Sequence, residues 1–230
     1  MKLLALESST ELFTAALYLD GRIVEREGAR GVPHSEIALP LVCALIEAER
    51  LALTDLDGIA FGAGPGAFTG LRLAASMAQG LAVGAGLAVL GVGSLEALAL
   101  DAGAGRVYAC TDARMNELYC AAYRVAAEAS ETVLAPVVCP PGAAPLPPGT
   151  GWLGCGSGFA AAGEALMARL GGCLEGVRPE SRPRAGAVAR LAAPRFARGE
   201  AVDAALAAPC YVRDKVALTT RERLAAGGSK

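Results

Sequence analysis

The stretch from residue 58 to residue 83 constrains the chain most. It reads Gly58-Ile59-Ala60-Phe61-Gly62-Ala63-Gly64-Pro65-Gly66-Ala67-Phe68-Thr69-Gly70-Leu71-Arg72 and runs on to Val83 with Gly80 as its only further breaker. Ile59 to Phe61 is a short apolar run, the pattern of a buried strand end. Gly62, Gly64 and Gly66 around Pro65 form a loop that needs unusual backbone angles or close contact with a neighbour. Thr69 supplies a helix cap, and Leu71 to Val83 continues as helix. α/β proteins use strand, glycine loop and helix either to hold phosphates or to set a helix tightly on a sheet. No Gly-Lys-Ser/Thr follows, so the lysine of a P-loop is missing. A loose Gly-x-Gly-x-x-Ala fits residues 62–67, the pattern of a dinucleotide-binding module, but Pro65 has no N–H to offer an anion. The residues leave both uses open, with tight packing the stronger.

The flanking segments read as an α/β chain. Residues 2–6, 13–19 and 22–27 alternate as strands, with Asp20-Gly21 a hairpin turn between the second and third. Pure Rossmann folds begin with a strand–helix crossover instead. Glu7-Ser8-Ser9-Thr10 sits in the first turn. Its hydroxyls and amides could cradle a phosphate and Glu7 a metal-bound water, or Ser and Thr could bond their own backbone. A first helix spans residues 34–50, with Ile37, Leu41 and Leu45 in one row and Pro40 bending its first turns. The helix after the glycine loop is apolar almost all round; Arg72, Ser76 and Gln79 form its narrow polar stripe. Such a helix is buried or serves as an interface. A strand at 87–92 and a helix from Ser94 to about Leu100 follow, and residues 101–105 mark a boundary between lobes.

Residues 106–111 and 117–125 read as a second hairpin; Asp112 and Arg114 at its tip could bind a partner, with a turn ion pair the stronger reading. Residues 140–148 are a proline-rich loop. Strand 152–155 leads through Gly156-Ser157-Gly158 into a helix over 159–170, and another helix covers 185–198. The chain divides into a first lobe at 1–102, a second lobe at 103–215, and a flexible tail at 216–230; the sequence leaves open whether the C-terminal part of the second lobe packs back on the first.

Composition excludes several functions. Hydrophobic residues make up 53% and charged ones 19%, ample for a core. A net charge of −2 argues against a domain that grips a nucleic-acid backbone alone. Lys2 is followed by only four apolar residues before Glu7, too few for a secretory signal, and no run reaches membrane-span length; a cytoplasmic protein is expected. The seven cysteines lack Cys-x-x-Cys spacing, which fits reduced thiols rather than a disulfide framework. His34 is the sole histidine, so His-rich metal sites cannot be built within the chain.

Several motifs together carry a resemblance. Leu4-Ala5-Leu6-Glu7-Ser8-Ser9-Thr10, His34-Ser35-Glu36, the run from Gly62 to Arg72, Thr111-Asp112-Ala113-Arg114-Met115-Asn116-Glu117 and Pro209-Cys210-Tyr211-Val212-Arg213 occur in order. This resembles the bacterial TsaB (YeaZ) family, whose members take part in making threonylcarbamoyladenosine next to the tRNA anticodon. Within the glycine run the resemblance rests most on Gly64, Pro65, Gly66, Phe68, Thr69, Gly70 and Arg72. It implies a two-lobe actin/sugar-kinase-like (ribonuclease-H-like) fold, with mixed sheets flanked by helices.

The resemblance also implies a role. The related catalytic subunit, TsaD, carries a His-x-x-x-His metal motif where this chain has His34-Ser35-Glu36-Ile37-Ala38. The second ligand is missing, so the chain is expected to be the non-catalytic partner of TsaD, working with TsaE and meeting tRNA only through the complex. The resemblance implies no catalytic residue, no metal, and no cofactor in the isolated chain, with room for ATP or ADP in the complex. Pairing, with TsaD or as a homodimer, is expected through the first-lobe helices at Leu73, Ala74, Met77, Ala78, Leu81, Ile37, Leu41 and Leu45. The alternatives are an active enzyme of the same fold (a small-molecule kinase or metal-dependent hydrolase) and, more remotely, a dinucleotide-binding module.

Overall fold

The computed structural model describes residues 1–213 except Ala104 and Glu128. The expectations for Asp214, Lys215 and the 216–230 tail lie outside the described residues.

The chain builds one strand pattern twice. In the first half, β1 (Lys2–Glu7), β2 (Thr14–Leu19) and β3 (Arg22–Glu27) form an antiparallel meander. β4 (Gly58–Gly64) and β5 (Ala88–Gly93) then add in parallel beside β1, giving the order β3-β2-β1-β4-β5. In the second half, β6 (Gly105–Asp112), β7 (Leu118–Ala126) and β8 (Ala129–Cys139) repeat the meander. β9 (Trp152–Cys155) and β10 (Leu174–Arg178) add in parallel beside β6, giving β10-β9-β6-β7-β8. Asp20 and Gly21 make the first hairpin turn with φ of 51° and 97°, the left-handed pair a two-residue hairpin demands.

The helices fill the layers around these sheets. α1 (His34–Ala48) and α2 (Phe68–Ala85) cover the outer face of the first sheet. α4 (Gly158–Ala161) and α5 (Gly163–Leu170) cover the outer face of the second. Between the sheets lie α3 (Ser94–Ala102) and α6 (Ala185–Ala197), and they are crossed. α3 ends the first half but packs mainly on β6 and β7, while α6 ends the second half and packs on β1, β2 and β4. The exchange joins both halves through one buried core that includes Leu3, Leu98, Val107, Tyr123, Val188 and Leu191. The architecture is α/β with two mixed sheets flanked by helices, in the two-lobe actin/sugar-kinase-like arrangement.

Local details differ from the sequence reading for physical reasons. Thr69 is not the cap: α2 starts at Phe68 with Ala67 in the cap position, because Ala67 N–H already donates to Ser9 O at 2.7 Å. Gly62 and Gly64 belong to β4 rather than to a loop. The helix expected over 159–170 breaks at Ala162, whose φ of −138° with ψ of 34° departs from helical values. β8 and β10 were not foreseen; β8 alternates only weakly and contains Pro136, which an edge strand tolerates. α1 runs unbroken through Pro40 and α6 through Pro194.

Candidate functional site

Three features compete for the role of functional site. They are the seam between the first turn and the glycine signature, the cleft beside it, and the outward face of α1 and α2.

The seam is closed by backbone contacts. β1 places Ser8 and Ser9 directly against the start of α2, and the glycines allow the approach. A Cβ at Gly70 would lie 1.9 Å from Ser8 O, and one at Gly66 would lie 2.5 Å from Ser9 O. Ser8 Oγ donates to Gly70 O at 2.7 Å, and Ala67 N–H donates to Ser9 O. Ser9 N–H donates to Glu7 Oε1 at 2.6 Å, and Ser94 Oγ–H to Glu7 Oε2 at 2.9 Å. A Cβ at Gly62 would sit 2.0 Å from Glu7 Oε2. Ser8 Oγ–H, Ser9 N–H and Ala67 N–H are therefore spent within the protein. Glu7 is fully buried, and burial pushes its carboxyl above the usual range against the hydrogen bonds from Ser9 and Ser94. This corrects the readings of Glu7 as a holder of metal-bound water and of residues 62–67 as a dinucleotide loop. The hydroxyls and amides expected to cradle a phosphate bond the backbone and Glu7 instead.

The cleft between the lobes has a volume of about 720 Å³. The two hairpin turns face each other across it, Ser9 to Glu11 on one side and Thr111 to Met115 on the other. Arg182 Nε bonds Glu11 Oε1 at 2.6 Å. Burial pushes the Glu11 carboxyl up, but the Arg182 guanidinium outweighs this and holds it below the usual range. Arg114 Nη1 lies 3.2 Å from Asp112 Oδ2, a turn ion pair at the hairpin tip. Thr111 Oγ1 is buried without a hydrogen-bond partner among the described residues.

Residues 210–213 cross the cleft mouth and tie the motifs together. Cys210 N–H donates to Ala63 O at 2.7 Å. Arg72 lies 3.8 Å over the Phe68 ring and donates from Nε to the Tyr211 hydroxyl oxygen at 3.0 Å, while Tyr211 stacks on Phe68. Arg213 Nη2 reaches Glu117 Oε2 at 2.5 Å in the second lobe. Phe68 and Arg72 thus hold the C-terminal motif. The Gly154-Cys155-Gly156-Ser157-Gly158 stretch also serves packing: a Cβ at Gly158 would meet Cys110 Sγ at 2.4 Å.

The outward face of α1 and α2 differs from the sequence reading. Ala74, Ala78 and Leu45 are fully buried against the first sheet, so they cannot meet a partner. Their small side chains let α2 lie close on its own sheet. Ile37, Leu41, Leu73, Met77 and Leu81 are half-buried at the flank of the same core. The residues that point outward are Leu39, 50% exposed, and Val83, 67% exposed, with Cys43, Ser76, Gly80 and Gly84 beside them. A Cβ at Gly80 or Gly84 would meet nothing within 4 Å among the described residues. His34 starts α1, with Nε2 3.2 Å from Glu11 O and its ring beside Phe13. Among the described residues no group of three or more His, Cys, Asp or Glu side chains is placed to hold a metal ion.

Sequence reasoning missed Ser94, Thr111 and Arg182. Ser94 is 87 residues from the carboxylate it holds, and no local pattern signals that pairing.

Comparison with known proteins decides the family. Residues 29–150 match the family described as TsaD: tRNA N6-adenosine threonylcarbamoyltransferase. The solved structure of YeaZ from Pseudomonas aeruginosa superposes with a TM-score of 0.84 and 36% identity, covering 91% of this chain and 99% of that one. The chain belongs to the TsaB (YeaZ) family. A second solved structure, an uncharacterized protein with similarity to peptidase YEAZ from the same organism, gives a TM-score of 0.85 at 36% identity, covering 92% of this chain and 99% of that one. The tRNA threonylcarbamoyladenosine biosynthesis protein TsaB of Escherichia coli is 40% identical over 128 residues, 54% of this chain and 55% of the relative. Its Haemophilus influenzae counterpart is 41% identical over 123 residues, 52% of each. The chain thus spans about half the length of the curated relatives it matches. Among the described residues no helix is long and apolar enough to cross a membrane.

Proposed function

We propose that this chain is a non-catalytic subunit that pairs with TsaD and supports threonylcarbamoyl transfer to the adenosine adjacent to the tRNA anticodon. The observation that carries the reading is the contrast within α2. Its inward side is sealed on the seam, and its outward side, beyond the exposed Arg72 of the first turn, is small and uncharged at Ser76, Gly80, Val83 and Gly84. Small residues allow a partner helix to approach closely, and exposed Leu39 and Val83 supply apolar contact.

His34 stands without a second histidine, which fits a subunit that leaves metal chemistry to its partner. The spent seam fits a chain that binds no nucleotide there when isolated, ATP or ADP entering only with the complex. The net charge of −2 fits contact with tRNA through the complex, in the cytoplasm. TsaE is the third component, and a homodimer through the same face is the state without TsaD.

The test mixes the pure chain with its TsaD and TsaE homologues and tRNA, leaving out one component at a time. Modification that needs this chain is expected; modification that proceeds equally without it ends the proposal. The cleft and its unpartnered Thr111 favour one second reading, an enzyme of the same fold acting alone. Steady ATP turnover by the isolated chain would favour that reading.

A further inference from the structure

The second lobe contains a thiol cluster that the proposed function does not use. Cys110 on β6 and Cys120 on β7 are directly opposed in the antiparallel register, and their sulfurs lie 3.4 Å apart. Both are fully buried, in a core with Tyr108, Leu118 and Trp152. Cys139 on the edge strand β8 is half-buried and packs against this core, so the cluster lies close behind the sheet edge. The β7–β8 ladder changes register between Cys120 and Ala122, so pairing is irregular beside the buried thiol.

We propose that Cys110 and Cys120 form an oxidisable cross-strand dithiol, a redox modification site for hydrogen peroxide. Direct opposition across two strands sets the pair for joining without a change of register. The burial admits only a small oxidant. The Cys120 thiolate attacks one peroxide oxygen, the O–O bond breaks, and a sulfenic acid forms as hydroxide leaves and takes up the released thiol proton to become water. Cys110 sulfur then attacks the Cys120 sulfur; the S–O bond breaks, and the hydroxyl leaves with the Cys110 proton as a second water. Two thiols are oxidised by two electrons, and one peroxide is reduced to two waters.

The surroundings decide which sulfur attacks. A hydrogen bond from Cys110, outweighing burial, holds the Cys120 thiol below its usual range, and Tyr108 and Cys139 lend further donors. That same contact, with burial added, pushes Cys110 well above its usual range. Burial pushes Cys139 up to about 12, which keeps it a protonated donor. The pair also touches the cleft. Cys110 precedes Thr111 in β6, and Gly158 of α4 packs on its sulfur, so joining the thiols acts directly behind the cleft wall.

The test treats the reduced full chain with hydrogen peroxide at neutral pH, blocks remaining thiols with N-ethylmaleimide after unfolding, and maps the digest by mass spectrometry. The expected product is a Cys110–Cys120 linked peptide pair that a dithiol reductant reverses. Cys139→Ser is expected to keep the same link. Cys110→Ser is expected to leave a sulfenic acid at Cys120 that dimedone traps. Recovery of Cys110 and Cys120 as alkylated free thiols, at peroxide doses that oxidise the exposed Cys43, overturns the proposal. A Cys120–Cys139 link as the main product overturns it too. The decisive map is made on the unmutated chain, so a variant that fails to fold does not blunt the test.

Discussion

The two sides of α2 use glycine in opposite ways. On the inward side, Gly70 lets the helix backbone touch the backbone of Ser8, with no room for a methyl group. On the outward side, Gly80 and Gly84 face open space. A glycine inside a helix costs about 1 kcal/mol relative to alanine, so each needs a reason in packing or function. The inward reason is visible in the fold. The outward reason is absent among the described residues and present if another surface closes over it. That asymmetry separates architecture from interface within one helix.

The largest expected effect falls on the inward side. In Gly70→Ala the new Cβ would sit 1.9 Å from Ser8 O, and backbone stands on both sides of the clash. A loss of about 3 kcal/mol or more is expected, at the upper end of overpacking penalties. Gly62→Ala is expected to cost less, about 1–3 kcal/mol, because its clash is with the Glu7 side chain rather than with backbone. Urea midpoints at constant m-value measure both. If Gly70→Ala unfolds at the wild-type midpoint, the seam is not the rigid element described.

The next effect has the opposite sign. Gly80→Ala and Gly84→Ala should each stabilise the isolated chain, by about 1 kcal/mol at most, because helix propensity improves and no clash follows. Gly80→Arg should leave the melting temperature of the isolated chain nearly unchanged and reduce co-purification with the TsaD homologue at least tenfold. Ala78→Arg is no test of pairing: Ala78 is fully buried on the sheet, and an arginine there disrupts the lobe itself. A Gly80→Arg chain that still co-purifies fully with TsaD would move the interface off α2.

What the sequence made legible follows the range of the interactions. Hairpin and strand signals placed the first meander, and the glycine run marked a tight strand-to-helix passage. The sequence reading assigns Leu45, Ala74 and Ala78 to a partner although they face the sheet, because a repeat every fourth residue, as in Ile37, Leu41 and Leu45, cannot say which side of a helix faces the sheet. In the fold this row leans on the core and Leu39 faces out. The duplicated strand order and the exchange of α3 and α6 between sheets left no trace in residue periodicity. Both depend on contacts between distant segments, as does the Ser8–Gly70 contact that explains the glycine signature.

The smallest effect tests the charge state within the seam. Glu7 is fully buried, and its oxygens accept from the Ser9 amide and the Ser94 hydroxyl. Burial raises its carboxyl above the ordinary value of 4.5. At a pH above that value the unfolded chain has released the proton while the native chain still holds it. The native state then binds more protons, so stability falls as pH rises, until the folded-state value is passed. Glu7→Gln mimics the protonated acid and accepts the same Ser9 bond through its amide oxygen. It should therefore match the wild type near pH ~4 and exceed it in the weakly alkaline range, with a flatter profile between. Parallel wild-type and Glu7→Gln profiles would mean that Glu7 carries its charge inside the seam. The seam would then need a cation, and the contrast between a sealed inward side and an open outward one would fail at its innermost residue.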